Sequence, residues 1–186
     1  SVTSATLVEH YAAVAAHIPV MVVTNVFAPR GMVFGLETLK LLVAQVPGIV
    51  AVKDDFCGEF GRKMATLVHG HWAVYSGGLK ENHLDIHPYG CDGYLSSLIA
   101  FAPHIVREYW TAVQSGDIPK AAAVIQRYEF PWIKFIAALP GGFDAGMHGM
   151  LELYGLAQRW RRKPYYSLSD AEMEQLRGKL QELKLL

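Results

Sequence analysis

The sequence predicts an α/β fold of parallel strands joined by right-handed helical crossovers. Three observations point to it. Strand-length apolar runs alternate with helix-length amphipathic segments over residues 1–100, at intervals of about 20–30 residues. One run, Gly48-Ile-Val-Ala-Val-Lys53, is apolar up to its last residue, as in a strand buried on both faces. Beyond residue 100 the strand-like runs stop and helical patterns fill the chain.

The elements follow in order. Leu7, Tyr11, Val14 and Ala15 recur at helical spacing and predict a helix over residues 3–16. Pro19 opens the strand Val20-Met-Val-Val-Thr24. Leu39, Leu42, Val43 and Val46 lie on one face of a helix from Leu36 to Val46, which Pro47-Gly48 ends before the Lys53 strand. A helix over 58–68 leads to the strand Trp72-Ala-Val-Tyr-Ser76, closed by Gly77-Gly78. Residues 79–87 read as helix or turn, and Asp92-Gly-Tyr-Leu-Ser96 as a short fourth strand. Helices are predicted over Pro103–Ser115, Ile118–Phe135 and 144–158, and a last one starts at Ser169, where Ser169-Asp-Ala-Glu172 forms a capping box. With no repeat or linker, the chain reads as one unit, its βα part covering 1–100 and a helical extension 101–186. Four strands are half of what a closed barrel needs, and four βα units alone leave two open edges.

Composition bounds the function. The 186 residues are 52% apolar and carry 17 basic and 17 acidic side chains, which suits a globular protein with a sizeable core. Zero formal charge argues against a nucleic-acid or anionic-membrane surface. Two cysteines, Cys57 and Cys91, do not make a disulfide scaffold, and a reducing cytoplasm is expected. The start, Ser1-Val-Thr-Ser-Ala-Thr, has no basic region before an apolar one, and the Tyr11–Phe27 stretch is interrupted by His17, Pro19, Thr24 and Asn25, unlike a membrane span.

Lys53 is the residue most suggestive of chemistry. A lysine at the C-terminal end of a buried parallel strand projects where α/β enzymes place their reactions. Partial desolvation there favours the neutral amine, which attacks carbonyls. One reading is a Schiff-base lysine; the plain alternative is a strand-capping lysine that faces solvent.

The ordered set His10-Tyr11, Pro19 through Asn25-Val26, Val50-Ala-Val-Lys53-Asp54, Tyr75-Ser-Gly-Gly78 and Gly90-Cys-Asp-Gly93-Tyr-Leu-Ser96 resembles the C-terminal half of the dihydrodipicolinate synthase / N-acetylneuraminate lyase family. The resemblance covers nearly the whole chain and implies a (β/α)8 TIM barrel, of which strands five to eight and the C-terminal helices are present. It implies a class I lyase or aldolase in which Lys53 condenses with pyruvate or another 2-oxo acid, with an aldehyde or sugar acid as second substrate. The covalent imine on Lys53 would serve in place of any cofactor, and no metal is implied. Asn25 matches the residue after the catalytic tyrosine, and Arg30 the arginine that receives a carboxylate, for which its planar fork is suited. Ser76 and Gly77 match a Ser-Gly pair that leaves room for the imine, and Tyr94 and Leu95 fall on the pocket wall. A homo-oligomer, dimer or tetramer, is expected, with the aromatic late helices (Tyr109, Trp110, Tyr128, Phe130, Trp132) serving either an interface or the core.

Two departures from the family pattern stand out. Thr24 occupies the position of the proton-transferring tyrosine, where a threonine hydroxyl is too weak an acid for the same task although it could position a water. Tyr75 and Tyr94 are candidate substitutes. The loop to Arg30 is also one residue longer than the pattern. No Gly-Thr-Thr-Gly-Glu-like carboxylate loop and no first four strands occur, so the chain is expected to be part of a longer polypeptide. If Thr24 marks a lost activity, a non-catalytic binding or regulatory protein is the alternative.

Other clusters read as structural. His83, His87 and Cys91 share an i, i+4, i+8 spacing with Asp85 between them, but Pro88 and Gly90 break the helix before Cys91 can join a metal face. Asp54 and Asp55 suit a salt bridge or helix cap. The basic run Arg159-Trp-Arg-Arg-Lys-Pro164 is expected to dock the last helix.

Overall fold

A computed structural model describes residues 2–186. The chain divides into two compact units, Ser1–Ser96 and Ser97–Leu186, where the sequence reads as one. The first contains α1 (Ser4–Ala15), β1 (Val20–Val23), α2 (Met32–Gln45), β2 (Ile49–Asp54), α3 (Gly58–Val68), β3 (Ala73–Ser76), α4 (Leu79–Ile86) and β4 (Gly93–Tyr94). All strand pairs are parallel, in the order β1-β2-β3-β4, as alternating βα units require. Helix α2 starts four residues earlier than its apolar stripe suggests, because Gly31 (φ 86°) turns the chain directly into it.

One face of the sheet carries Val22, Val52 and Val74, all fully buried with Leu39, Leu42, Phe60 and Met64 from α2 and α3. The other face is more open, with Met21 at 45% exposure. The pairing skips a residue between Val20 and Met21, and Val50 stands exposed opposite that irregularity.

The second unit is helical among the described residues: α5 (Pro103–Gln114), α6 (Ile118–Val124), α7 (Phe130–Ala138), α8 (Gly142–Leu153) and α9 (Asp170–Glu182). The predicted helix over Ile118–Phe135 is present as α6 and α7 joined by a π-helical turn, Ile125–Glu129. Pro131 lacks an N–H and cannot continue a regular ladder, and the wider turn just before it absorbs the misfit. Tyr109 and Trp132 are core, whereas Phe130 is 45% exposed. The Ser169–Glu172 capping box starts α9. Arg159, in the basic run, ties Glu152 of α8 (3.2 Å) to Asp170 at the start of α9. No helix among the described residues is long and apolar enough to cross a membrane.

Candidate active site

Strand register determines which side chains accompany Lys53. Its Cα partners are Val23 in β1 and Tyr75 in β3, and Tyr75 pairs in turn with Gly93. Aligned residues of a parallel sheet share a face, so Val23, Lys53 and Tyr75 form one row at the C-terminal rim. Gly93 completes that row without a side chain, and the Tyr75 ring lies against it, 3.3 Å from where a Cβ would stand.

Lys53 Nζ donates to Asp55 Oδ2 at 3.0 Å, with the two side chains 27% and 23% exposed. Residues two apart in extended chain project to the same side, which brings Asp55 back over its lysine. Gly77 closes the pair from the neighbouring strand end, its N–H donating to the Asp54 carbonyl at 2.7 Å. A Cβ on Gly77 would lie 1.9 Å from Asp55 Oδ1 and 2.6 Å from Lys53 Cε. Both atoms belong to movable side chains, so Gly77→Ala is expected to fold normally while displacing the Lys–Asp pair. Were the pair catalytic, a shift of about 1 Å would lower turnover about 100-fold. An unchanged thermal midpoint with strongly reduced activity would be the signature; unchanged activity would mean the glycine is not needed for clearance.

The next row points the other way, into a buried polar node. Asp54 and Ser76, Cα partners in β2 and β3, are both fully buried. Asp54 Oδ1 accepts from the Thr24 hydroxyl (2.9 Å) and from the N–H groups of Phe56 (3.1 Å) and Cys57 (3.2 Å). Its Oδ2 accepts from Asn82 Nδ2 at 3.2 Å, and Asn82 also donates to Ser76 Oγ at 3.0 Å. Cys57 has φ 67° and ψ −179°, a region that only glycine adopts without strain, at a cost of about 1–3 kcal/mol elsewhere. Its hydrogen bond to Asp54 is one of the contacts that hold that turn. Burial, and then the carboxylates of Asp54 and Asp55, push the Cys57 thiol up to about 11, so it is no nucleophile at neutral pH.

Several residues singled out in the sequence lie in or beside this node. Thr24, matched to the family's catalytic tyrosine, is fully buried, and its hydroxyl donates to Asp54 while accepting from the N–H groups of Asp55 (2.9 Å) and Phe56 (3.0 Å). One donor and two acceptor positions are all that a hydroxyl has, so none remains for a substrate or a water. Ser76, expected in the substrate pocket, faces Asn82 and the Leu79 carbonyl, 3.3 Å away, on the side opposite Tyr75. Tyr94, expected on the pocket wall, pairs with Ser76 in register and packs its ring 5.0 Å from that of His83 in α4. Alternation places both on the helix-facing side. Leu95 continues the ladder through its N–H to the Ser76 carbonyl (2.9 Å), with a half-exposed side chain. Asn25 lies exposed in a 3-10 turn, Thr24–Val26. Arg30 donates to the Val2 carbonyl and stacks 4.6 Å from the Phe34 ring; its contacts are with these residues rather than with Lys53 or Asp55. Asp55, read from the sequence as suited to a salt bridge or a helix cap, forms a salt bridge with Lys53 two residues before it.

His83 and His87 lie behind the sheet with their ring centroids 5.3 Å apart. Asp85 is held by Arg62 (2.6 and 2.9 Å), and the Cys91 thiol points to the carbonyls of Val74 (3.5 Å) and Gly93 (3.1 Å). Among the described residues no three or more His, Cys, Asp or Glu are grouped to hold a metal ion. His83 is fully buried, and desolvation, then the charge of nearby His87, push it down from 6.5 to about 4. Below 6.5 the unfolded chain takes up a proton that the folded one refuses until about 4, so stability falls as pH drops through that window. The loss is on the order of 2 kcal/mol. Urea midpoints at pH 7 and 4.5 should converge in His83→Gln relative to the parent protein; equal slopes would count against a buried neutral histidine.

Comparison with known proteins bears on this geometry. The model of the dihydrodipicolinate synthetase family matches residues 1–183. The chain belongs to this family. Among relatives, a protein provisionally named 5-dehydro-4-deoxyglucarate dehydratase from Allorhizobium ampelinum is 27% identical over 166 residues, covering 86% of this chain and 54% of its own. The 4-hydroxy-tetrahydrodipicolinate synthase of Nitrosomonas eutropha is 33% identical over 124 residues, 65% of this chain and 41% of its own. A provisionally named dihydrodipicolinate synthetase structure from Pseudomonas aeruginosa superposes with a TM-score of 0.80 at 27% identity, covering 98% of this chain and 62% of that one. The dihydrodipicolinate synthase of Acinetobacter baumannii, solved with pyruvate, gives 0.74 at 25% identity, covering 100% and 63%. The chain thus spans about half the length of the curated relatives it matches. Its fold is a partial (β/α)8 barrel of this family, strands five to eight with the C-terminal helices.

Proposed function

We propose that the protein containing this chain is a Schiff-base-forming lyase or aldolase in which Lys53 condenses with pyruvate or a closely related 2-oxo acid. The observation that carries this reading is the Lys53–Asp55 pair at the rim of β2, kept clear by Gly77. Relatives in the family are lyases, and one similar structure holds pyruvate. The amine attacks the keto carbon, water leaves, and the protonated imine acts as an electron sink. It stabilises the enamine formed when the adjacent C–H, C–C or C–O bond is cleaved. An aldehyde or sugar acid is the expected second substrate. No metal or diffusible cofactor enters these steps. Free thiols at Cys57 and Cys91 suit a reducing cytoplasm, and a homodimer or tetramer is the assembly we expect.

Borohydride reduction of the longest native polypeptide carrying these residues, incubated with pyruvate, tests the reading. A reduced adduct mapped to Lys53 by peptide mass spectrometry supports it. The occupied hydroxyl of Thr24 favours a second reading, a barrel-derived binding protein without catalysis. That reading requires no adduct with any 2-oxo acid in the folded protein.

A further inference from the structure

We infer that Asp55 is the proton-carrying group of this site, and that Thr24 is a positioning residue which holds Asp55 in place. The inference rests on the Schiff-base reading of Lys53. Three observations carry it. Asp55 Oδ2 lies 3.0 Å from Lys53 Nζ, the atom that would bond to substrate. Gly77 leaves the space that Asp55 Oδ1 occupies, and any Cβ there would stand 1.9 Å from that oxygen. The Thr24 hydroxyl accepts from the backbone N–H of Asp55 at 2.9 Å and of Phe56 at 3.0 Å, and donates to Asp54. A hydroxyl committed in that way cannot relay protons, but it holds the turn from which the Asp55 carboxylate returns to the lysine.

The proton balance closes with Asp55 alone. Attack requires the free amine of Lys53, and the proton that Nζ sheds passes to Asp55 Oδ2, 3.0 Å away. The amine adds to the keto carbon, and one N–H proton passes to the resulting alkoxide, giving a neutral carbinolamine. Asp55, now a carboxylic acid, protonates that hydroxyl. Water departs as the nitrogen lone pair forms the C=N bond, leaving a protonated imine and an Asp55 carboxylate. The C3 carbon of the substrate is two bonds from Nζ. Asp55 removes a C3 proton, and the C–H electron pair moves into a C2=C3 bond while the imine π pair returns to nitrogen as an enamine. Reversal with a solvent-exchanged proton on Asp55 puts solvent hydrogen on C3.

The test uses the longest native polypeptide, pyruvate in D2O, and NMR detection of deuterium at C3, with borohydride trapping run in parallel. Lack of a Lys53 adduct in the parent protein would overturn the Schiff-base reading, and this inference with it. Given that adduct, Asp55→Asn is expected to slow C3 exchange about 100-fold or more while long incubation still traps the imine on Lys53. Exchange within threefold of the parent overturns the inference, as does a parent protein that traps pyruvate yet exchanges no deuterium. Loss of exchange in Tyr75→Phe with exchange retained in Asp55→Asn would assign the proton to Tyr75 instead. Should circular dichroism show Asp55→Asn unfolded, Asp55→Ala with added formate takes its place. At least tenfold restoration of exchange by formate supports the assignment, and no restoration overturns it. Thr24→Val, which removes the hydroxyl at nearly constant shape, is expected to slow exchange without abolishing trapping, and Thr24→Ser to restore it.

Discussion

Lys53→Arg is expected to abolish the borohydride-trapped adduct and to lower pyruvate C3 exchange by at least about 1,000-fold, the scale lost when a covalent nucleophile is removed. A guanidinium keeps the positive charge beside Asp55 but forms no imine. The parent ion pair is partly exposed, and such pairs contribute only about 0–1 kcal/mol. The thermal midpoint should therefore move little, separating a chemical effect from a folding one. Exchange that persists in the arginine variant would show that chemistry, if any, proceeds elsewhere.

Asp54→Ala should be the most destabilising single change at the site. Its carboxylate is fully buried and receives four donors, from Thr24, Phe56, Cys57 and Asn82. Truncation takes the acceptor from the Thr24 hydroxyl and the Cys57 N–H, leaves the Phe56 N–H its bond to Thr24 and Asn82 its bond to Ser76, and releases the strained turn at Cys57. Unmet buried donors cost about 1–3 kcal/mol each, and relaxation with water entry brings a realistic total to about 3–5 kcal/mol. Asp54→Asn should cost only about 1 kcal/mol. Its carbonyl keeps the three donors on Oδ1, and Asn82, whose Oδ1 is buried without a partner, can turn that oxygen towards the new amide. Denaturant midpoints of the two variants, with amide exchange at Phe56 and Cys57, test this difference. Equal, small losses would mean that the node does not hold the turn.

The same carboxylate also explains how closely α3 approaches the sheet. A Cβ at Gly61 would stand 2.4 Å from Asp54 Oδ2. The helix therefore rests on the polar node, and the Lys53–Asp55 pair on one face of β2 shares its backbone with the buried Asp54 network on the other. The proposed chemistry and the hydrogen bonding that holds the turn thus fall to neighbouring residues of one strand end.

Element order, the parallel pairing and the placement of Lys53 at a strand end were all legible in the sequence, because hydrophobic periodicity and Gly/Pro punctuation are local properties. The direction of each rim side chain was not. Alternation within β3 separates Tyr75 from Ser76, but only the register across β1, β2, β3 and β4 shows that Tyr75 joins Lys53 while Ser76 and Tyr94 join the buried side. Thr24 leaves its strand and turns its hydroxyl into Asp54, 30 residues away in sequence, a contact that no local pattern encodes. Arg30 was placed by motif spacing, whereas a longer loop and the ring of Phe34 give it a different neighbourhood. By itself the sequence determined the family, the barrel segment and the strand end that carries Lys53. Tertiary structure decided which carboxylate stands beside the Lys53 amine, because the side chains meet only when strands from different parts of the chain are set in register.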